Sequence, residues 1–228
     1  MTVRQRPSPN FGPRMVGDRV NLVILHYTEM DSAAAALERL CDPGAEVSAH
    51  YLVDTDGSIW SLVDESKRAW HAGVAFWAGE TDINSRSIGI EIQNQGPGRD
   101  AEPFPRQQMD AVSLLCQDIM MRHRIGPGGV LGHSDVSVGR KVDPGPEFPW
   151  ARLAAEGVGL WVDGAARPEL DENRALAALR RIGYALDAPM TTLAAFRLHW
   201  VPEVAGDAPL DPLTMYRLET LATRMAGL

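Results

Sequence analysis

The chain has 228 residues, with 30 Asp+Glu against 22 Lys+Arg and a net charge of -8. That length allows one mid-sized domain, or one plus a small one, and 45% hydrophobic residues supply a full core. An acidic chain without a basic block is a poor partner for nucleic acid or anionic membranes, and two cysteines, Cys41 and Cys116, cannot build a disulfide framework or a four-thiolate zinc site.

Residues 1–18 are polar and rich in Pro and Gly, and read as an irregular lead-in. Arg4 and Arg6 are followed by Pro, Ser and Asn rather than by an apolar stretch, so no export signal is expected. No apolar run approaches a membrane span. The expectation is a cytoplasmic monomer, or a periplasmic one if an upstream signal has been removed.

Residues 21–27 (NLVILHY) are apolar on both faces and fit a central, doubly covered strand. A short helix is expected over 32–41, with Asp31 as its cap and Pro43 and Gly44 as its stop. Two strand-like runs, 50–54 and 59–63, flank a DTDG hairpin signal. In 88–93, Ile88, Ile90 and Ile92 alternate with Gly89, Glu91 and Gln93, which predicts a strand with one apolar and one open face. Residues 105–123 carry the longest helical stripe, and 130–132 form a short strand before a Gly/Pro-rich loop. This order predicts an α/β fold with a central mixed sheet flanked by helices. Composition shifts near residue 160. The domains expected are 1–160, a linker over 161–168, and a small all-α domain over 169–228 with three helices, two of them capped by Asp171 and Asp211.

Two of the histidines stand at strand ends. His26 closes an otherwise apolar strand, where an unpaired ring is costly, and His133 follows the strand at 130–132. Asp143 lies in a Pro/Gly turn ten residues on. Two imidazoles and a carboxylate form a catalytic zinc set with the fourth position left for water. Spacing alone leaves this open against ordinary hydrogen-bonded core histidines. Glu91, on the open face of its strand, suits a general base because restricted solvation raises a carboxylate pKa. The pattern alone fits a solvated edge-strand glutamate as well.

Taken together, LHYT (25–28), SAHYLVDTDGSIWSLVDE (48–65), AWHAG (69–73), NSRSIGIEIQN (84–94), GHSDV (132–136) and KVDPGPEFPW (141–150) resemble the zinc-dependent N-acetylmuramoyl-L-alanine amidases, amidase type 2. That family includes phage T7-type lysozyme and the peptidoglycan recognition proteins. The resemblance implies a T7-lysozyme-like amidase fold, zinc ligands at His26, His133 and Asp143, a catalytic carboxylate at Glu91 and an intermediate-stabilising Lys141. It implies hydrolysis of the amide between the lactyl group of (anhydro-)N-acetylmuramic acid and L-alanine, with a muropeptide or peptidoglycan substrate. His71, Asn84 and Arg86 are the candidate substrate contacts, Arg86 as a partner for a stem-peptide carboxylate. Ser8, Pro9 and Asn10 resemble a lead-in that lines the cleft in some members. LAALRRIGYAL, TTLAAFRLHW and DPLTMYRLETLA resemble a three-helix peptidoglycan-binding module with degraded turn words. Without an export signal, recycling of soluble muropeptides is the expected role. A cell-wall enzyme acting on polymer and a non-catalytic peptidoglycan binder are the alternatives. His123 and His199 read as structural or surface residues.

Overall fold

The structure is a computed structural model that describes residues 2–15, 17, 19–97 and 103–227. A six-stranded sheet has the order β1 (Val3–Gln5), β5 (Ile59–Ser61), β4 (Tyr51–Val53), β7 (Ser87–Ile92), β3 (Leu22–Tyr27), β8 (Val130–Gly132). Only the β4–β5 hairpin is antiparallel; the other pairs are parallel, which gives the expected mixed sheet. The lead-in is not irregular throughout. It supplies β1 at the sheet edge and β2 (Phe11–Pro13), which pairs antiparallel with β6 (Lys67–Ala69). These strands of three residues are too short for a period-2 signal.

Alternation along β3 and β7 decides what each sheet face carries. Val23 and Leu25 of β3, with Ile88, Ile90 and Ile92 of β7, pack on α3 (Arg106–His123) through Met109, Val112 and Cys116. Leu22, Ile24 and His26 point to the other face. On that face α1 (Ala33–Cys41) packs Leu37 and Leu40 against Leu52 and Leu62. Its cap is Ser32, whose side chain accepts from Ala35 N, rather than Asp31 one residue earlier.

The C-terminal helices α6 (Glu172–Ile182), α7 (Pro189–Trp200) and α8 (Pro212–Met225) form as expected, with Asp171 and Asp211 accepting from first-turn amides. They share one contiguous core with the sheet. Leu179, Phe196, Trp200 and Leu218 lie in the same cluster as Leu22, Ile24, Trp77 and Val136. Residues 161–168 carry no helix or strand, yet Val162 is buried in that common core, so the expected linker is anchored. No helix among the described residues is long and apolar enough to cross a membrane.

Candidate active site

His26 stands on β3 directly opposite Glu91 on β7, because the two are partners in the parallel register. β8 pairs Gly132 with Leu25, and the chain then turns into α4 (His133–Val136), so His133 starts beside the end of β3. The loop after α4 returns Asp143 to the same place, held by the Ser134 amide donating to the Asp143 carbonyl at 2.9 Å. His26 Nδ1, His133 Nδ1 and Asp143 Oδ2 are each 3.0 Å from the other two. All three residues are at most 5% exposed.

The hydrogen bonds around this trio determine its tautomers. His133 Nε2 faces the Ala72 carbonyl at 3.0 Å; a carbonyl only accepts, so Nε2 carries the proton and Nδ1 a lone pair. Ser87 Oγ donates to the Ile83 carbonyl at 2.7 Å, so it must accept from His71 Nε2 at 3.1 Å. His71 Nδ1 is then an acceptor, and His26 Nε2 donates to it at 3.0 Å. His26 Nδ1 is therefore also a bare lone pair. Burial and the nearby His133 lower the His26 pKa to about 4, which keeps the ring neutral at pH 7. Burial opposes ionisation of Asp143, and a cation held between the three atoms would favour its carboxylate form. Two lone pairs and a carboxylate oxygen thus converge with no proton between them. Such a donor set could hold a cation; a tetrahedral edge for metal–ligand bonds of about 2.0–2.1 Å is about 3.3–3.4 Å, so the three atoms would need to open by only a few tenths of an ångström to take one. The donor set suits zinc, with one position open.

Gly89 makes the arrangement possible. A Cβ there would lie 2.5 Å from His71 Cγ, so the imidazole occupies space that any other residue at 89 would need. His50 continues the layer. It accepts from Gly89 N at 3.0 Å and donates to the Lys67 carbonyl at 3.1 Å. Burial lowers its pKa to about 4.

A cavity of about 220 Å³ opens on the trio and is lined also by Glu91, Lys141, His71, Trp70 and Arg39. Glu91 Oε2 is buried without a hydrogen-bond partner. Burial first, and the Asp143 charge second, raise the Glu91 pKa to about 8, with Lys141 opposing. A carboxyl so placed has its proton affinity near neutrality, as a general base requires.

Not every expected residue reaches the cavity. Asn84 Oδ1 accepts from the His71 and Ala72 amides at 3.1 and 2.8 Å, so it shapes the segment beneath the site. Arg86 pairs with Glu80 at 2.8 Å and does not line the cavity. Ser8 and Asn10 are buried against the end of α1, bonding to the carbonyls of Leu40, Asp42 and Val47. The cationic residue that does line the cavity from α1 is Arg39, which sequence reasoning passed over because it reads as the solvent face of an amphipathic helix. Arg140 was also missed. Its Nη2 donates to the same Ala72 carbonyl that orients His133, at 2.5 Å, and to Ser137 Oγ at 2.8 Å. His199 is neither a surface residue nor isolated: it is 1% exposed and 2.6 Å from Asp135.

Comparison with known proteins bears on this site directly. The N-acetylmuramoyl-L-alanine amidase family model Amidase_2 matches residues 16–146, more than half of the chain. The N-acetylmuramoyl-L-alanine amidase AmiD of Escherichia coli K12 is 37% identical over 212 residues, covering 81% of this chain and 76% of that one. The solved structure of E. coli AmiD with anhydro-N-acetylmuramic acid-L-Ala-D-gamma-Glu-L-Lys superposes with a TM-score of 0.82 at 32% identity, over 96% of this chain and 93% of that one. AmpDh3 of Pseudomonas aeruginosa, solved with an anhydromuramic pentapeptide, gives a TM-score of 0.81 at 34% identity over 96% and 95%. With the matched region spanning His26, Glu91, His133 and Asp143, the chain belongs to the N-acetylmuramoyl-L-alanine amidase family.

Proposed function

We propose that this chain is a zinc-dependent N-acetylmuramoyl-L-alanine amidase. It hydrolyses the amide between the lactyl group of (anhydro-)N-acetylmuramic acid and L-alanine of the stem peptide, in peptidoglycan recycling. The observation that carries the reading is the convergence of two imidazole Nδ1 atoms and one carboxyl oxygen beside Glu91, whose Oε2 is buried without a hydrogen-bond partner.

His26, His133 and Asp143 would hold the metal, with His71 and the Ala72 carbonyl orienting the two rings from behind. Bound zinc supplies Lewis acidity, polarising the scissile carbonyl and making a water more acidic. Glu91, in its ionised form, takes the proton of the attacking water and returns it to the amine of the departing L-alanine. The Lys141 ammonium faces the oxyanion that develops at the carbonyl carbon. Arg39, at the rim of the cavity, pairs with a carboxylate of the stem peptide in the place first assigned to Arg86. The anhydro sugars held by the two solved relatives support soluble fragments as substrates. Helices α6–α8 carry the likeness to a peptidoglycan-binding module.

Incubating the protein with an anhydro-muropeptide and, separately, with intact sacculi tests the reading. Release of L-Ala peptides from the soluble fragment is expected. Turnover only on sacculi would assign it to the cell wall instead, and turnover on neither would leave a binder.

A further inference from the structure

Asp135 lies two residues after the ligand His133, on the same four-residue helix α4, and is fully buried. Its Oδ2 accepts from the Gly132 amide at 2.8 Å and from His199 Nδ1 at 2.6 Å. Its Oδ1 accepts from the Tyr184 hydroxyl, which itself accepts from Trp200 Nε1 at 3.1 Å. Tyr184 follows α6 directly, and His199 and Trp200 end α7. Both oxygens of a carboxylate in the catalytic part are therefore bonded by groups of the C-terminal helices.

His199 reaches the second ligand segment too. Its ring is stacked between Trp200, at 3.7 Å, and Trp150, at 3.6 Å. Trp150 packs beside Gly132, where a Cβ would come within 3.4 Å of its ring and 2.9 Å of Pro144 Cδ. Pro144 directly follows the ligand Asp143, and the Ser134 amide ties that loop back to α4. Through Asp135 on one side and Trp150 on the other, one imidazole braces the segments that carry both His133 and Asp143. It does so with Nε2 buried and unpartnered. A polar ring kept in an aromatic stack at that cost is poorly explained by packing alone, because an apolar ring would fill the same space.

We propose that His199 and Tyr184 are positioning residues of the metal centre, and that the C-terminal helical module is a structural part of the amidase site. The module's work is to hold the 132–144 segment so that His133 and Asp143 converge on His26. The proposal rests on the zinc reading above.

The full-length protein is loaded with zinc and its metal content measured first. Tyr184→Phe keeps the ring and removes one hydrogen bond. His199→Phe keeps the stack and removes the donor to Asp135, and His199→Asn keeps a donor near the Nδ1 position. Zinc transfer to a chromophoric chelator and the visible spectrum of the cobalt-substituted protein are then compared at constant circular dichroism. Tyr184→Phe and His199→Phe are expected to weaken metal retention by roughly 10- to 100-fold and to alter the cobalt spectrum, with His199→Asn restoring most of the loss. Folded Tyr184→Phe protein with the parent's zinc release and cobalt spectrum overturns the proposal, and it decides the matter even if His199→Phe does not fold. A parent that binds no zinc overturns the zinc reading itself and the proposal with it. A zinc-loaded parent with unaffected variants overturns only the proposal.

Discussion

His26 and Glu91 are register partners on adjacent parallel strands, so the proposed first metal ligand and the proposed general base share one sheet face at one level. The separation is set by the sheet itself, about 4.7–4.9 Å between strands. Neither residue depends on a loop for its place, and the third participant, His133, begins where β8 ends beside β3.

The first consequence concerns division of labour across that pair. Glu91→Ala should retain zinc and lose hydrolysis by roughly 10²–10⁴-fold, while His26→Ala should lose the metal too. Metal analysis beside a muropeptide assay separates the two, and an active Glu91→Ala enzyme would remove the base from the mechanism.

Glu91 also predicts a trade of stability for function. Its folded pKa of about 8 lies above its unfolded value, so the folded protein holds the extra proton between those limits. The stability that goes with that proton is present at low pH and is lost as pH rises through about 8. Glu91→Gln should therefore make the metal-free protein more stable above pH 8, measured by urea unfolding in chelator. Equal or lower stability there would contradict the placement of the carboxyl.

His50 predicts the opposite slope. Its folded pKa of about 4 is depressed, so protonation of the unfolded chain destabilises the fold as pH falls from about 6.5 towards 4. The difference amounts to on the order of 3 kcal/mol across that window. In metal-free protein, His50→Asn should show a shallower acid dependence than the parent; an unchanged slope would mean that the ring is not held neutral.

Gly89 tests the layer behind the ligands. Gly89→Ala leaves an ordinary strand backbone but drives a methyl into the His71 ring, so it should cost about 10- to 100-fold in zinc affinity with the fold intact. Competition with a chelator measures it, and parent-like affinity would show that His71 does not orient His26.

Arg39→Ala should raise KM for a tripeptide-bearing substrate by roughly tenfold with little change in kcat, whereas Arg86→Ala should change neither. A KM rise confined to Arg86→Ala would restore the assignment made from sequence.

How much of this was legible in the sequence follows from which interactions are local. β7 and α3 announce themselves because their side chains repeat at a period that burial imposes over six residues or more, and β3 because a six-residue run apolar on both faces fits a doubly covered strand. His26 and His133 stood out as polar residues at the ends of apolar strands and Asp143 by its Pro/Gly turn, and ordered motifs gave them company. β1 and β2 escaped because three-residue strands draw their stability from partners far along the chain. That Arg86 is engaged by Glu80 while Arg39 lines the cavity was not legible, because sequence shows a guanidinium but not its partner. His199 looked unremarkable because its significance lies 64 residues away, at Asp135. The residues that anchor the C-terminal helices on the catalytic part were hidden for the same reason.

The central claim is that His26, His133 and Asp143 form a zinc site at which Glu91 works. Its most direct test is zinc content and L-Ala peptide release from an anhydro-muropeptide, measured on one preparation before chelation, after it, and after zinc is returned. The account predicts one zinc per chain, hydrolysis lost with the metal, and hydrolysis regained with it. A protein that turns over equally well without metal, or that takes up none, would contradict it.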